Sequence, residues 1–272
     1  MVAVSAACPS CGQDFTGKFC AHCGEKQVNH HDFTAGHFVE ETVEGITHFD
    51  NKFIRTIKAL FRPGMLTLEF ERGRKVPFMR PIQLFIVCNL LFFLLAGRTN
   101  VFSVQLDNFM TRPSMRAYLI ARVGADADFN RVGEIFVEKM GNQSKAFILF
   151  FVPFYALYTE LVYFRKRKPA GMHLVFATHY FSFLLFYFAL FELLLELPYY
   201  HIFRGSVAFF DPFAVIFNLL AIIIYFLLAA RRYFRAGWTW AILGGVGAGF
   251  LFIFLLVIYR SLLFYNIVRT IH

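Results

Sequence analysis

Charge is what this chain has least of. Only 17% of its 272 residues are Asp, Glu, Lys or Arg, against 58% that are apolar. That is too much apolar surface for a soluble domain of this length to need. Acidic residues are scarcer still, with 18 Asp and Glu set against 27 Lys and Arg for a formal charge of +9. Cysteine occurs five times. Four fall between Cys8 and Cys23, and the fifth, Cys88, has no cysteine near it in sequence and reads as a small core residue. The chain also lacks a phosphate-binding glycine loop, an HExxH, a GxSxG and a carboxylate signature for sugar or phosphate transfer, so no catalytic activity is expected. No cleavable signal peptide is expected either, because the first long apolar run begins near Pro81.

What is present, with 38 phenylalanines and a mean hydropathy of +0.54, is an all-α polytopic membrane protein. Five spanning helices are predicted, over about Pro81–Ala96, Ala146–Phe164, His173–Leu197, Phe213–Ala230 and Trp238–Tyr259. A hydrocarbon core needs about 20 apolar residues per helix, and the first span falls short unless Val76–Arg80 extends it. Basic residues alternate between short loops: Arg72, Arg74, Lys75 and Arg80, then Arg165–Lys168, then Arg231, Arg232 and Arg235. The loop between the third and fourth spans has only Arg204. The positive-inside rule therefore puts the N-terminus in the cytoplasm and the C-terminus outside, in an inner membrane. The predicted organisation is residues 1–28, 29–77 and 78–265, the last enclosing an outer loop at 97–145. Membrane lipids are the expected partners of the basic excess. Nucleic acid is not, since the basic residues flank the spans rather than the amino end, which carries only Lys18 and Lys26.

That amino end holds Cys8-Pro-Ser-Cys11-Gly and Cys20-Ala-His-Cys23-Gly. Two Cys-x-x-Cys-Gly turns eight residues apart are the pattern of a zinc ribbon. Four thiolates close a tetrahedral site and leave no position for water, so Zn2+ here is expected to be structural. A pair of disulfides is the alternative, and a reducing compartment argues against it.

Between this knob and the first span, Thr34 caps a predicted helix to about Phe49, whose His37, Glu41, Glu44 and His48 share a narrow arc. They could hold a second metal or be a solvated face. Asp50 caps another short helix, with Phe53, Ile54, Ile57, Leu60 and Phe61 flanked by Lys52, Arg55, Lys58 and Arg62. Basic and amphipathic, it is expected to lie in the inner-leaflet interface rather than pack on the protein's own cytoplasmic face. Arg74 or Arg80 could pair with a lipid headgroup or another anion.

Taken together, the two Cys-x-x-Cys-Gly turns, Thr56-x-x-x-Leu60, Arg62-Pro63-Gly64, Gly73-Arg74-Lys75, Pro81 and His173-Leu-Val-Phe-Ala-x-His179 resemble an uncharacterised bacterial inner-membrane family. That family has an N-terminal zinc ribbon and is catalogued only as a domain of unknown function. Phe78 stands where the family's pattern has tyrosine. The resemblance implies a topology and a zinc site, and no reaction or substrate.

Ionisable groups inside a span cost about 2.5–3.5 kcal/mol on insertion scales, so each needs a reason. Glu160, His179 and Asn89 are predicted at a common depth, roughly 8–10 Å from the inner surface, with Glu160 and His179 as neighbours. Such a pair could relay protons, bind a cation or satisfy itself. Glu192 and Glu196 form an outer layer with Asn218; Glu196, before Pro198, is expected to emerge into water. Gly245-x-x-x-Gly249 is expected to pack inside the bundle, with a homo-oligomer seam as the alternative. Two functions stay open. One is an accessory or scaffold protein recruiting a cytoplasmic or membrane partner. The other is a transporter-like or lipid-handling protein using the buried Glu and His residues and the cytoplasmic-side arginines.

Overall fold

The computed structural model describes residues 6–17, 19–25, 52–95, 105–124, 127–143, 148–199 and 207–271. Its elements in chain order are a two-strand knob, β1 (Ala6–Ala7) and β2 (Asp14–Phe15), then α1 (Lys52–Leu60), α2 (Met65–Glu71), α3 (Pro81–Leu95), α4 (Asp107–Met110), α5 (Pro113–Val123), α6 (Phe129–Gln143), α7 (Ile148–Val162), α8 (Ala170–Phe191), α9 (Val207–Tyr233) and α10 (Trp238–Arg269). The strands pair antiparallel, Ala6 opposite Phe15. The helix predicted from Thr34 to Phe49, its His and Glu arc and the Asp50 cap lie outside the described residues.

Among the described residues three helices are long and apolar enough to cross a membrane: Ala170–Glu196, Pro212–Tyr233 and Trp238–Arg269. The other two predicted spans are the apolar helices α3 and α7, each of 15 residues. At 1.5 Å per residue each covers about 22 Å, short of a core of about 30 Å. Of the five expected spans, three fall on helices long enough to cross, and the other two fall on short apolar helices.

α8 is the axis of the bundle. Its span is 78% buried, against 33% and 39% for those of α9 and α10, and α3, α7, α2 and α9 pack around it. The outer faces of α3, α7, α9 and α10 carry exposed Leu90, Phe93, Phe154, Leu157, Ile216, Leu220, Phe250 and Phe254, the character of a lipid-facing surface. Lipid tails are as apolar as leucine, so close backbone approach and hydrogen bonds must hold such helices together. The α7–α10 seam has both. Tyr155 donates to the Ala248 carbonyl at 2.5 Å and Tyr158 to that of Gly244 at 2.8 Å, with a longer bond from Tyr163 to Trp240. A Cβ on Gly244 would strike the Tyr163 hydroxyl, and one on Gly247 the Tyr158 hydroxyl. Gly245 and Gly249 face Ile223 of α9, so the glycine stretch serves packing inside the bundle.

α1 and α2 form a hairpin set against that bundle. Thr56, Ala59 and Leu60 of α1 and Leu66, Thr67, Glu69 and Phe70 of α2 are buried. Phe61 sits edge-on to Phe183 and Phe186 of α8. Tyr225 donates to the Leu60 carbonyl at 2.8 Å and Arg232 to that of Pro63 at 2.9 Å, both from α9. The tip turns at Gly64, whose φ is 75°, a left-handed conformation that other residues adopt at a cost. A Cβ there would also stand 2.6 Å from the Ala229 carbonyl oxygen. One side of α1 thus packs on the protein, while Lys52, Ile54, Arg55 and Lys58 are exposed on the other.

The segment 97–145, expected as an outer loop, is not loop throughout. It contains α4, α5 and α6, whose Phe109, Met115, Leu119, Phe136 and Met140 are buried. They pack on the distal end of α10, where Phe109 stacks on Phe264 at 5.0 Å. α10 has 32 residues, about 48 Å, and runs ten residues past the predicted Tyr259. Arg122 and Lys139 donate to the Arg269 and Thr270 carbonyls at its end, covering acceptors that a helix C-terminus leaves open.

Candidate metal centre and membrane cavity

The four cysteines of the knob come together as the sequence predicts. Cys8 and Cys23 Sγ lie 3.5 Å apart, Cys11 and Cys20 Sγ 3.6 Å, and all four sulfurs fall within 4.8 Å of one another. A disulfide needs about 2.0 Å, and all four are free thiols. A tetrahedron with metal–sulfur bonds of about 2.3 Å has edges of about 3.8 Å, so the donor set fits a metal ion.

Local folding explains the geometry. In the first turn the Cys8 amide donates to the Gln13 carbonyl at 2.9 Å and the Gly12 amide to that of Cys8 at 2.8 Å. The second repeats this, with Cys20 to Glu25 at 2.8 Å and Gly24 to Cys20 at 2.9 Å. Gly12 and Gly24 have φ of 77° and 73°, which is why glycine follows each second cysteine. The crowded sulfurs of Cys8, Cys11 and Cys23 influence one another's ionisation. Burial pushes Cys8 up, but the Cys11 and Ser10 amides outweigh it and hold that thiol down at about 7. The Glu25 amide pulls Cys23 down, but burial and the three neighbouring sulfurs push it up to about 12.

Glu25, which the sequence reading passed over, is 1% exposed. Its Oε2 accepts from the Ser10 hydroxyl at 2.5 Å and from the Lys75 and Val76 amides at 3.0 Å each. Arg74 Nε donates to the Pro9 carbonyl at 2.7 Å, and its guanidinium pairs with Glu69 at 3.1 Å. The knob is thereby fastened to the turn between α2 and α3. Arg80 is half-buried and lines a cavity of about 10 Å3 with Arg74, Lys75 and His179, room for about one water.

The predicted Glu160–His179 pair does not form. His179 is buried on α8 and its Nδ1 meets the Thr67 hydroxyl at 3.0 Å. Glu160 is exposed on α7, one residue beyond Thr159, whose hydroxyl meets His173 Nδ1 at 3.0 Å. Helical phase explains this: Tyr155 and Thr159 take the inward face of α7, leaving Glu160 outside. Asn89 is half-buried on α3, its Oδ1 without a hydrogen-bond partner.

The outer layer does converge. Glu192 and Glu196 are 2% and 5% exposed, so Glu196 does not emerge into water. α8 ends in a π-helical turn, Glu192–Glu196, with the Leu197 amide reaching back to the Glu192 carbonyl. Turns of this kind recur at functional sites. Both carboxylates line a cavity of about 200 Å3 with Asn218 of α9, walled by Phe92, Phe188 and Phe252. The Asn218 Oδ1 has no hydrogen-bond partner. Two carboxylates one turn apart repel when both are ionised, and a shared proton or a cation relieves this.

Residues 50–93 match the model of a family described as a protein of unknown function (DUF3667). The match covers the α1–α2 hairpin, the turn that grips Glu25 and most of α3. No curated protein matches the chain, and no solved structure does.

Proposed function

We propose that this is a multi-pass protein of the bacterial inner membrane that binds a small cation or protonated solute between Glu192 and Glu196. In this reading it is transporter-like, with five spans, a cytoplasmic N-terminus and an outer C-terminus. Zn2+ on Cys8, Cys11, Cys20 and Cys23 is structural, since a closed four-thiolate site leaves no position for a substrate. The observation that carries the reading is the cavity of about 200 Å3 with two buried carboxylates in an apolar wall. It is smaller than the roughly 300 Å3 at which drug-sized sites begin, which suits a short amine or a partly hydrated ion. Arg80, half-buried beside His179, is a candidate contact for a lipid headgroup.

The test uses the full chain in nanodiscs with butylammonium as probe, followed by calorimetry. Binding is expected in the wild type and at least about tenfold weaker in Glu192→Gln and Glu196→Gln. Equal binding in all three refutes the cavity reading. The accessory or scaffold reading is favoured by Phe19, 61% exposed on the knob beside Cys20. It expects the phenotype of a deletion strain to be complemented by both glutamine variants and not by Phe19→Ser with its metal retained.

A further inference from the structure

Glu25 joins two parts of the chain that are far apart in sequence, and only when both halves of the knob are in register. Ser10 comes from the first cysteine turn and Glu25 follows the second, and they meet in the bond at 2.5 Å. From that joint the carboxylate receives two consecutive amides, those of Lys75 and Val76. Successive amides converging on one oxygen form an anion-binding concavity. Arg74 adds a second tie, to the Pro9 carbonyl of the first turn.

Among the described residues the knob has little else to hold its halves in register. Its two strands have two residues each, and its buried apolar cluster is Phe15 with the cysteines themselves. A fold this small depends on its metal, and binding energy at such a site is folding energy. The turn it grips is in turn tied to the hairpin and the bundle. The Met79 amide donates to Thr56 of α1 at 2.9 Å, and Arg74, Lys75 and Arg80 line the small cavity against His179.

We infer that Glu25 is a latch through which metal occupancy of the cysteine cluster sets the conformation of the 72–80 turn between α2 and α3. With the metal bound, Ser10 and Glu25 are aligned and the turn is held. With it removed, the two halves part, the carboxylate loses its alignment and the turn is released. The inference rests on the cluster holding a metal and is independent of the Glu192–Glu196 cavity.

The test is hydrogen exchange on the full chain in nanodiscs, with bound metal measured on the same samples. Three samples are compared: wild type as purified, wild type stripped by chelator, and Glu25→Ala. Stripping is expected to speed exchange at Val76 by at least about tenfold, the change that follows loss of a charge-assisted hydrogen bond, and at Lys75 by less, since that amide also donates to the Gly73 carbonyl at 3.0 Å. Glu25→Ala is expected to give the same acceleration with its metal retained, because the residue's ligating neighbours and backbone carbonyl are untouched. Unchanged exchange at 75–76 after stripping overturns the latch, whether or not the variant folds. Unchanged exchange in Glu25→Ala with metal bound overturns the role of the carboxylate. Wild type with no metal as purified and none taken up overturns the premise.

Discussion

Replacing Gly64 by alanine sets two independent penalties against one methyl group. The backbone at that position has φ 75°, which a residue with a Cβ adopts at about 1–2 kcal/mol. The new Cβ stands 2.6 Å from the Ala229 carbonyl oxygen and 3.1 Å from its Cα. These are helix backbone atoms that cannot rotate aside, so either the hairpin or α9 must give, at about 1–3 kcal/mol. If the hairpin retreats, the bonds from Tyr225 to Leu60 and from Arg232 to Pro63 stretch, at about 1 kcal/mol each. The sum is about 2–5 kcal/mol if α9 gives and about 4–7 kcal/mol if the hairpin retreats. At about 2–4 °C per kcal/mol for a chain of this size, Gly64→Ala should lower the melting temperature by at least about 4 °C, read from intrinsic fluorescence in detergent micelles. Gly133→Ala is the control: a Cβ there meets nothing within 4 Å, and helix propensity favours alanine by about 1 kcal/mol. A Gly64→Ala protein melting within about 2 °C of wild type would refute the docked hairpin.

Cys8→Ser should abolish stoichiometric metal in the purified chain, measured by mass spectrometry of the element. Metal retention should also fall as pH drops from about 8 to about 5, because ligation requires thiolates. With Cys23 pushed up to about 12 in the metal-free knob, protons compete throughout that range, and retention that grew stronger on acidification would rule out sulfur ligands. Gly244→Ala should destabilise the α7–α10 seam, and adding Tyr163→Phe should recover part of the loss, since it removes the hydroxyl that the new Cβ meets. A double-mutant cycle on melting temperatures should give a favourable coupling of about 0.5–3 kcal/mol, and additive effects would place the two residues apart. Thr67→Val should cost about 1–3 kcal/mol by leaving buried His179 without its 3.0 Å partner, and an unaltered melting temperature would contradict that bond.

Features written into short stretches of chain were the ones legible beforehand. Each cysteine turn carries its own glycine and makes its own hydrogen bonds, so the metal knob follows from a handful of adjacent residues. Glu192 and Glu196 share a face because they are one turn apart. Residues whose meaning lies in a distant partner were not legible. Glu25 is an unremarked acid until Lys75 and Val76 arrive fifty residues later. Glu160 has the right depth for His179, but depth does not fix the direction in which a side chain points around its helix. Thr67 pairs with His179 across 112 positions. The stretch around Arg112-Pro113 does contain a helix signal, proline in a first turn, which mixed charges had masked as loop.

The length of α10 ties two distant regions mechanically. Phe252 forms part of the carboxylate cavity, and Ile267, fifteen residues on, is buried two residues before the Arg269 carbonyl that Arg122 of α5 holds. About 22 Å of unbroken helix joins them. A tilt of that rod by about ten degrees, pivoting at the cavity, would carry its far end through about 4 Å. Whatever tilts the helices packed on Phe264 therefore turns the same rod that carries Phe252.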